Sequence, residues 1–139
     1  MTARTARCCC GSLTVDAEGE PAVVSLCNCL ECQRRTGSSF GVGAYFEEAQ
    51  LRLSGPSSVY ERSVEGRKLI FHFCPRCGST VYWRAANHPG RYGVAVGAFA
   101  DPHFPKPARS VFERSRHHWL SFPEDIPGFE AGRDSAPSR

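Results

Sequence analysis

Eight cysteines gathered in three tight clusters limit what this chain can become: Cys8-Cys9-Cys10, Cys27-Asn28-Cys29-Leu30-Glu31-Cys32 and Cys74-Pro75-Arg76-Cys77-Gly78. Within each cluster, neighbouring cysteines are adjacent or have one or two residues between them. Such spacing aims thiolates at a single centre, as a metal about 2.3 Å from each sulfur requires. It suits disulfides poorly, because near-adjacent cysteines bridge only with strain. A lone C-x-x-C is shared with thioredoxin-type redox pairs; three clusters together are not. Eight cysteines in 139 residues also fall below the share expected of a short disulfide scaffold.

The late C-x-x-C reads as a zinc knuckle. It follows a strand expected over Leu69 to Phe73, and Gly78 relieves the turn so that backbone N–H groups face the sulfurs. A knuckle supplies two thiolates, whereas a closed structural site takes four ligands. Either Cys8 with Cys10 or two members of the central cluster completes it. A zinc ribbon would place roughly 15–20 residues between its C-x-x-C pairs. Cys32 and Cys74 are much further apart, which argues against a nucleic-acid-binding ribbon. If the N-terminal C-x-C joins the late C-x-x-C, then Cys27, Cys29 and Cys32 remain as a trio. Three protein ligands with an open position are the pattern of a catalytic zinc. A fourth ligand from His72, His103, Asp101 or Cys9 would close the site instead.

The rest of the chain reads as mainly β. Its length is that of one domain, and 41% apolar against 22% charged residues excludes wholesale disorder. Thirteen Gly and ten Pro favour a turn-rich β protein over a helical one. Period-two runs around Leu13–Ala17, Phe40–Phe46, Leu51–Leu53, Leu69–Phe73, Val81–Trp83 and Tyr92–Val96 predict antiparallel strands, and Ala22–Leu26 adds a short apolar one. One short helix is expected over Leu30 to Thr36, capped by Gly37. Pro102, Pro105 and Pro107 predict an irregular crossing after Asp101. The expected organisation is an N-terminal extension over 1–6, a zinc-binding β domain over 7–130 and a disordered tail over 131–139.

Met1–Arg7 has no apolar stretch behind it to make a secretory signal, and no run is long enough for a membrane helix. The expected setting is therefore the reducing cytoplasm. A net charge of +3 is too mild to demand an anionic partner. Accordingly Arg114-Ser115-Arg116-His117-His118 is expected as a solvated basic loop rather than a phosphate contact. His72 is expected on the solvated face of its strand, and Tyr82 and Trp83 in the core or lining a pocket.

Arg7-Cys8-Cys9-Cys10-Gly11-Ser12-Leu13, the run from Cys27 to Gly37 and Phe73-Cys74-Pro75-Arg76-Cys77-Gly78 together resemble the glutathione-dependent formaldehyde-activating enzyme family, which includes the centromere protein V domain. The resemblance runs from about Arg7 to about Phe122 and takes in Val94–Pro102 and Trp119-Leu120. It implies a single-domain β-tent zinc fold with two zinc ions. Carried over by motif, Cys8, Cys10, Cys74 and Cys77 would hold a structural ion. Cys27, Cys29 and Cys32 would hold a second, catalytic and exchangeable one. The implied activity is that of a carbon–sulfur lyase making and breaking S-(hydroxymethyl)glutathione, with a small thiol such as glutathione as partner. Glutathione carries carboxylates, and Arg34 and Arg35, directly after the trio, are the cations expected to meet them. The sequence departs from the family pattern at Cys9 and at Ser110, where His is frequent. The competing expectations are a non-catalytic zinc-stabilised binding module, and a methionine sulfoxide reductase-like protein, which would need a reactive Cys outside the clusters.

Overall fold

The structure, a computed structural model, describes residues 2–139. It is mainly β, as expected: β1 (Ala3–Arg7), β2 (Thr14–Glu18), β3 (Val23–Cys27), α1 (Leu30–Thr36), β4 (Gly41–Glu47), β5 (Leu51–Ser54), β6 (Ser58–Val64), β7 (Arg67–Phe73), β8 (Thr80–Ala85), β9 (Arg91–Ala95) and β10 (Arg109–Val111). No helix among the described residues is long and apolar enough to cross a membrane. The backbone gathers into two compact units. One comprises Ala44–Phe104 with the N-terminal residues up to Ala22, the other Val23–Gly43 with Pro105–Arg139.

In the first unit, β1, β2 and β5 form an antiparallel sheet. Leu13, Val15 and Ala17 turn inward with at most 1% exposure while Asp16 faces out, the alternation that predicts the strand. β1 lies mostly within the residues expected to form an extension. Its polar ARTAR sequence shows no hydrophobic period. Backbone pairing with β2, from Ala3 opposite Glu18 to Arg7 opposite Thr14, makes it a strand.

The same unit holds a meander in the order β9-β8-β7-β6. The β6–β7 hairpin turns on Glu65 and Gly66, at φ 50° and 79°. Two successive left-handed residues match the right-handed twist of the strands they join. β6 escapes sequence reading because its apolar residues face solvent, with Tyr60 57% exposed. On β8, Trp83 lies across Gly93 of β9, where a Cβ would stand 2.3 Å from the indole Nε1. Tyr82 is buried beside it, and His72, half-buried, stacks on Tyr82 with ring centroids 4.4 Å apart. The core of this unit is Leu13, Val15, Phe46, Val81 and Val94.

In the second unit β3 pairs with β10, Ser25 opposite Arg109 and Cys27 opposite Val111. This pair is parallel, a departure from the antiparallel expectation, and it lies just beyond the prolines expected to keep the segment irregular. Pro105 and Pro107 precede the strand without interrupting its hydrogen bonds. α1 ends where expected, at Gly37 in the left-handed conformation with its N–H on the Gln33 carbonyl. Residues 131–139, expected to fray, instead fold back on the unit. Glu130 N–H bonds the Ala136 carbonyl at 2.9 Å, and Ser138 and Arg139 both reach the buried Glu113 carboxylate. A few backbone bonds and one buried charge hold this segment, and neither feature has a sequence period.

Candidate metal centres

Two turns of like build carry the first group. After β1, the Cys8 N–H bonds the Leu13 carbonyl at 3.0 Å. After β7, the Cys74 N–H bonds the Ser79 carbonyl at 2.9 Å. A glycine in the left-handed conformation, Gly11 or Gly78, lets each turn close. Cys8 and Cys10 thereby meet Cys74 and Cys77, all four sulfurs within 4.8 Å of one another. Zinc held tetrahedrally by four sulfurs sets them about 3.8 Å apart. Here Cys8 and Cys10 are 3.7 Å apart and Cys10 and Cys74 3.6 Å, so the cluster is of the size the ion requires. N–H groups of Leu13 and Arg76 point at the sulfurs of Cys8 and Cys74, at 3.3 and 3.4 Å. The Ser12 hydroxyl lies 3.1 Å from Cys10 Sγ and 3.2 Å from Cys74 Sγ.

This polar surround favours the thiolate at Cys77 and Cys8, while at Cys10 Ser12 acts downward but burial and the neighbouring thiols outweigh it and raise the group. The hydroxyl and N–H of Ser79 hold the Cys77 thiol down to about 5. At Cys8 burial acts upward, but the Leu13 N–H and the neighbouring thiols outweigh it and bring the group to about 7. Cys9 stays exposed and outside the group; its backbone N–H bonds Ser79 Oγ at 3.2 Å.

The second group is built where β3 runs into α1. Cys27 ends the strand and Cys29 caps the helix, its sulfur accepting the Cys32 N–H at 3.3 Å; Cys32 lies in the first turn. Their sulfurs also lie within 4.8 Å of one another. Among the described residues no His, Asp, Glu or further Cys joins them, so His72, Asp101, His103 and Cys9 do not close the trio. Hydrogen bonds from Cys27 and Cys32, with the helix-start N–H groups, push the Cys29 thiol strongly down, while the bond to Cys29 pushes Cys27 up. Both groups offer soft sulfur donors alone, a set suited to zinc. All eight cysteines are free of disulfides.

Asn28 fixes this loop from inside. It is fully buried, and its Nδ2 donates to Ser110 Oγ at 3.0 Å and to the Val111 carbonyl at 2.9 Å. Gln33 completes the clamp, its Nε2 donating to the carbonyls of Asn28 and Ser115 at 2.9 and 3.1 Å. Sequence reasoning passes over both residues: polar residues beside cysteines read as solvated, and their partners lie some 82 residues away.

The two arginines after the trio part ways. Arg35 lies towards Cys32; the hydrogen bond with Cys27 and the Arg35 charge act to lower the Cys32 thiol, but Cys29 and burial outweigh them and raise it. The Arg35 Nη2 is 2.8 Å from where a Cβ on Gly41 would stand. Arg34, exposed, pairs with Glu31 at 2.7 Å and faces an open pocket of about 660 Å³. Leu30, Gln33, Ser38, Ser39 and His117 line the same pocket. His117, expected in a solvated loop, is half-buried there with Nε2 2.8 Å from Gln33 Oε1. His118 is exposed.

Comparison with known proteins bears on the family and the fold. The model of a family described as glutathione-dependent formaldehyde-activating enzyme matches residues 3–115. A crystal structure of a Rhodobacter sphaeroides protein is similar in fold. It is 24% identical, has a TM-score of 0.56, and the likeness covers 70% of this chain and 91% of that one. No curated protein matches the sequence significantly.

Proposed function

Since the chain belongs to the glutathione-dependent formaldehyde-activating enzyme family, we propose that it is a zinc-dependent carbon–sulfur lyase, joining a small thiol of the glutathione kind to formaldehyde or a related aldehyde and cleaving the adduct. The observation that carries this reading is the unequal division of seven sulfurs into a group of four and a group of three. In this reading Cys8, Cys10, Cys74 and Cys77 hold a structural ion in a β-tent scaffold, and Cys27, Cys29 and Cys32 hold the catalytic one. Eight unpaired thiols suit the reducing cytoplasm.

A zinc ion bound by the trio supplies positive charge that favours the thiolate form of an incoming thiol. The chain's own residues do the rest. Asn28 and Gln33 hold the loop so that the three sulfurs keep their places. The substrate sulfur attacks the aldehyde carbon, a C–S bond forms, and the carbonyl oxygen takes up a proton. Cleavage runs the same steps backward. Arg34 and Arg35 meet the substrate's carboxylates. Arg34 must first exchange Glu31, but an exposed pair three residues apart is worth only about 0.2–0.5 kcal/mol, so the exchange costs little.

The test is metal content together with adduct formation followed by NMR. Two zinc ions per chain and glutathione–formaldehyde exchange faster than the spontaneous reaction support the reading. One ion per chain, or no acceleration, overturns it and leaves a zinc-stabilised binding module.

A further inference from the structure

Gln33 and His117 are 84 residues apart in sequence and meet in one pocket wall of the second unit. Two carbonyls fix the Gln33 amide, because both accept from its Nε2. Its Oε1 therefore faces His117 Nε2, 2.8 Å away. An amide oxygen only accepts, so the imidazole proton sits on Nε2. In the neutral ring Nδ1 is then left as a lone-pair acceptor. Among the described residues nothing hydrogen-bonds to Nδ1, while the ring packs edge-to-face on Trp119 with centroids 5.9 Å apart.

The pocket thus presents a fixed acceptor at His117, a cation at Arg34, hydroxyls at Ser38 and Ser39, and an apolar side chain at Leu30. The complementary ligand carries an N–H donor, a carboxylate and a short apolar stretch, which is the chemistry of a small peptide. We propose that this pocket recognises the peptide part of the thiol substrate, with His117 Nδ1 accepting an amide N–H and Arg34 meeting a carboxylate. The assignment rests on the proposed function. Successive helix residues turn by about 100°, so the stripe Leu30–Gln33–Arg34 lies beside the stripe Cys29–Cys32. A tripeptide extends over roughly 10 Å, at about 3.3–3.6 Å per residue, about the diameter of a helix with its side chains. One short helix then holds the sulfur with one face and the backbone with the next. Thiols without an amide lose the second contact.

S-methylglutathione tests this, because its blocked sulfur takes no part in chemistry while its amides and carboxylates remain. Calorimetry on the zinc-loaded protein should show binding to the wild type and affinity about tenfold weaker in His117→Phe, the loss of one hydrogen bond. His117→Asn, which sets an acceptor where Nδ1 stands, should bind within roughly threefold of wild type. No binding by the wild type, equal binding by His117→Phe, or binding by His117→Asn as weak as that of His117→Phe overturns the proposal. So does a ¹⁵N spectrum placing the His117 proton on Nδ1. A chain that binds the blocked peptide yet fails to accelerate glutathione–formaldehyde exchange fails the proposed function and not this pocket, so the two failures register separately.

Discussion

Asn28 sits between two cysteines and points the other way. In extended backbone alternate side chains face opposite sides, so the spacing that brings Cys27 and Cys29 together sends Asn28 into the interior. There its amide bonds Ser110 and Val111, one of the few buried polar links of the unit. Asn28→Ala leaves those acceptors without their donor and should cost about 1–3 kcal/mol, read as a lower urea midpoint. Cys29→Ser acts differently. The trio is half-exposed and packs no core. The variant should keep its fold by circular dichroism, lose about one zinc ion per chain by elemental analysis, and lose thiol–aldehyde turnover. An unfolded product would contradict a catalytic rather than structural role for this residue. At this scale the cysteines were legible, because few residue types hold zinc and their spacing shows in the sequence. Asn28, Gln33 and His117 were not, because a polar side chain gains its meaning only from partners some 80 residues away.

Among the elements, the turns after β1 and β7 carry more of the architecture than their length suggests. Each leaves thiols whose mutual repulsion, once ionised, only a cation relieves. Cys77→Ser should therefore lower the melting temperature far more than Cys29→Ser does, with calorimetry as the measure; a variant of unchanged stability would exclude a structural role for Cys77. The closing segment makes the other element-level prediction. Burial acts to raise the Glu113 carboxyl, but Arg139, Ser138 and Ser110 outweigh it and hold the group below its ordinary value. A carboxyl lowered in the folded state adds stability that is fully present above its unfolded value, about 4.3, and is lost as pH falls through the folded one. The urea midpoint should fall with acid over that window, and Glu113→Gln should flatten the fall. Equal slopes would show that Glu113 is not the group responsible. The strands visible in sequence were those with a buried face. β1 and β6 went unseen because backbone pairing, more than a buried apolar face, makes them strands, and β10, although Ser110 and Val111 are buried, is too short at three residues to show a period.

For the molecule as a whole, the two sulfur groups belong to different compact units and differ in donor number, so the zinc-loaded protein should release its metal in two stages. A chelator should remove the ion of the trio first, with little change in melting temperature, and the ion of the four-cysteine group later, with a large one. Zinc content plotted against melting temperature would show this as two slopes; a single slope would mean equivalent sites. The sequence alone determined the β class, the helix with its glycine cap and the three cysteine clusters. Local periodicity, turn chemistry and ligand spacing all act within a few residues and leave their mark on adjacent positions. Spacing by itself left the partner of the late C-x-x-C open; tertiary structure brings the first cluster to the third, leaves the second without a further ligand among the described residues, and turns His117 towards Gln33. These outcomes depend on which distant segments the backbone pairs, and hydrogen bonds between remote residues leave no period in a chain.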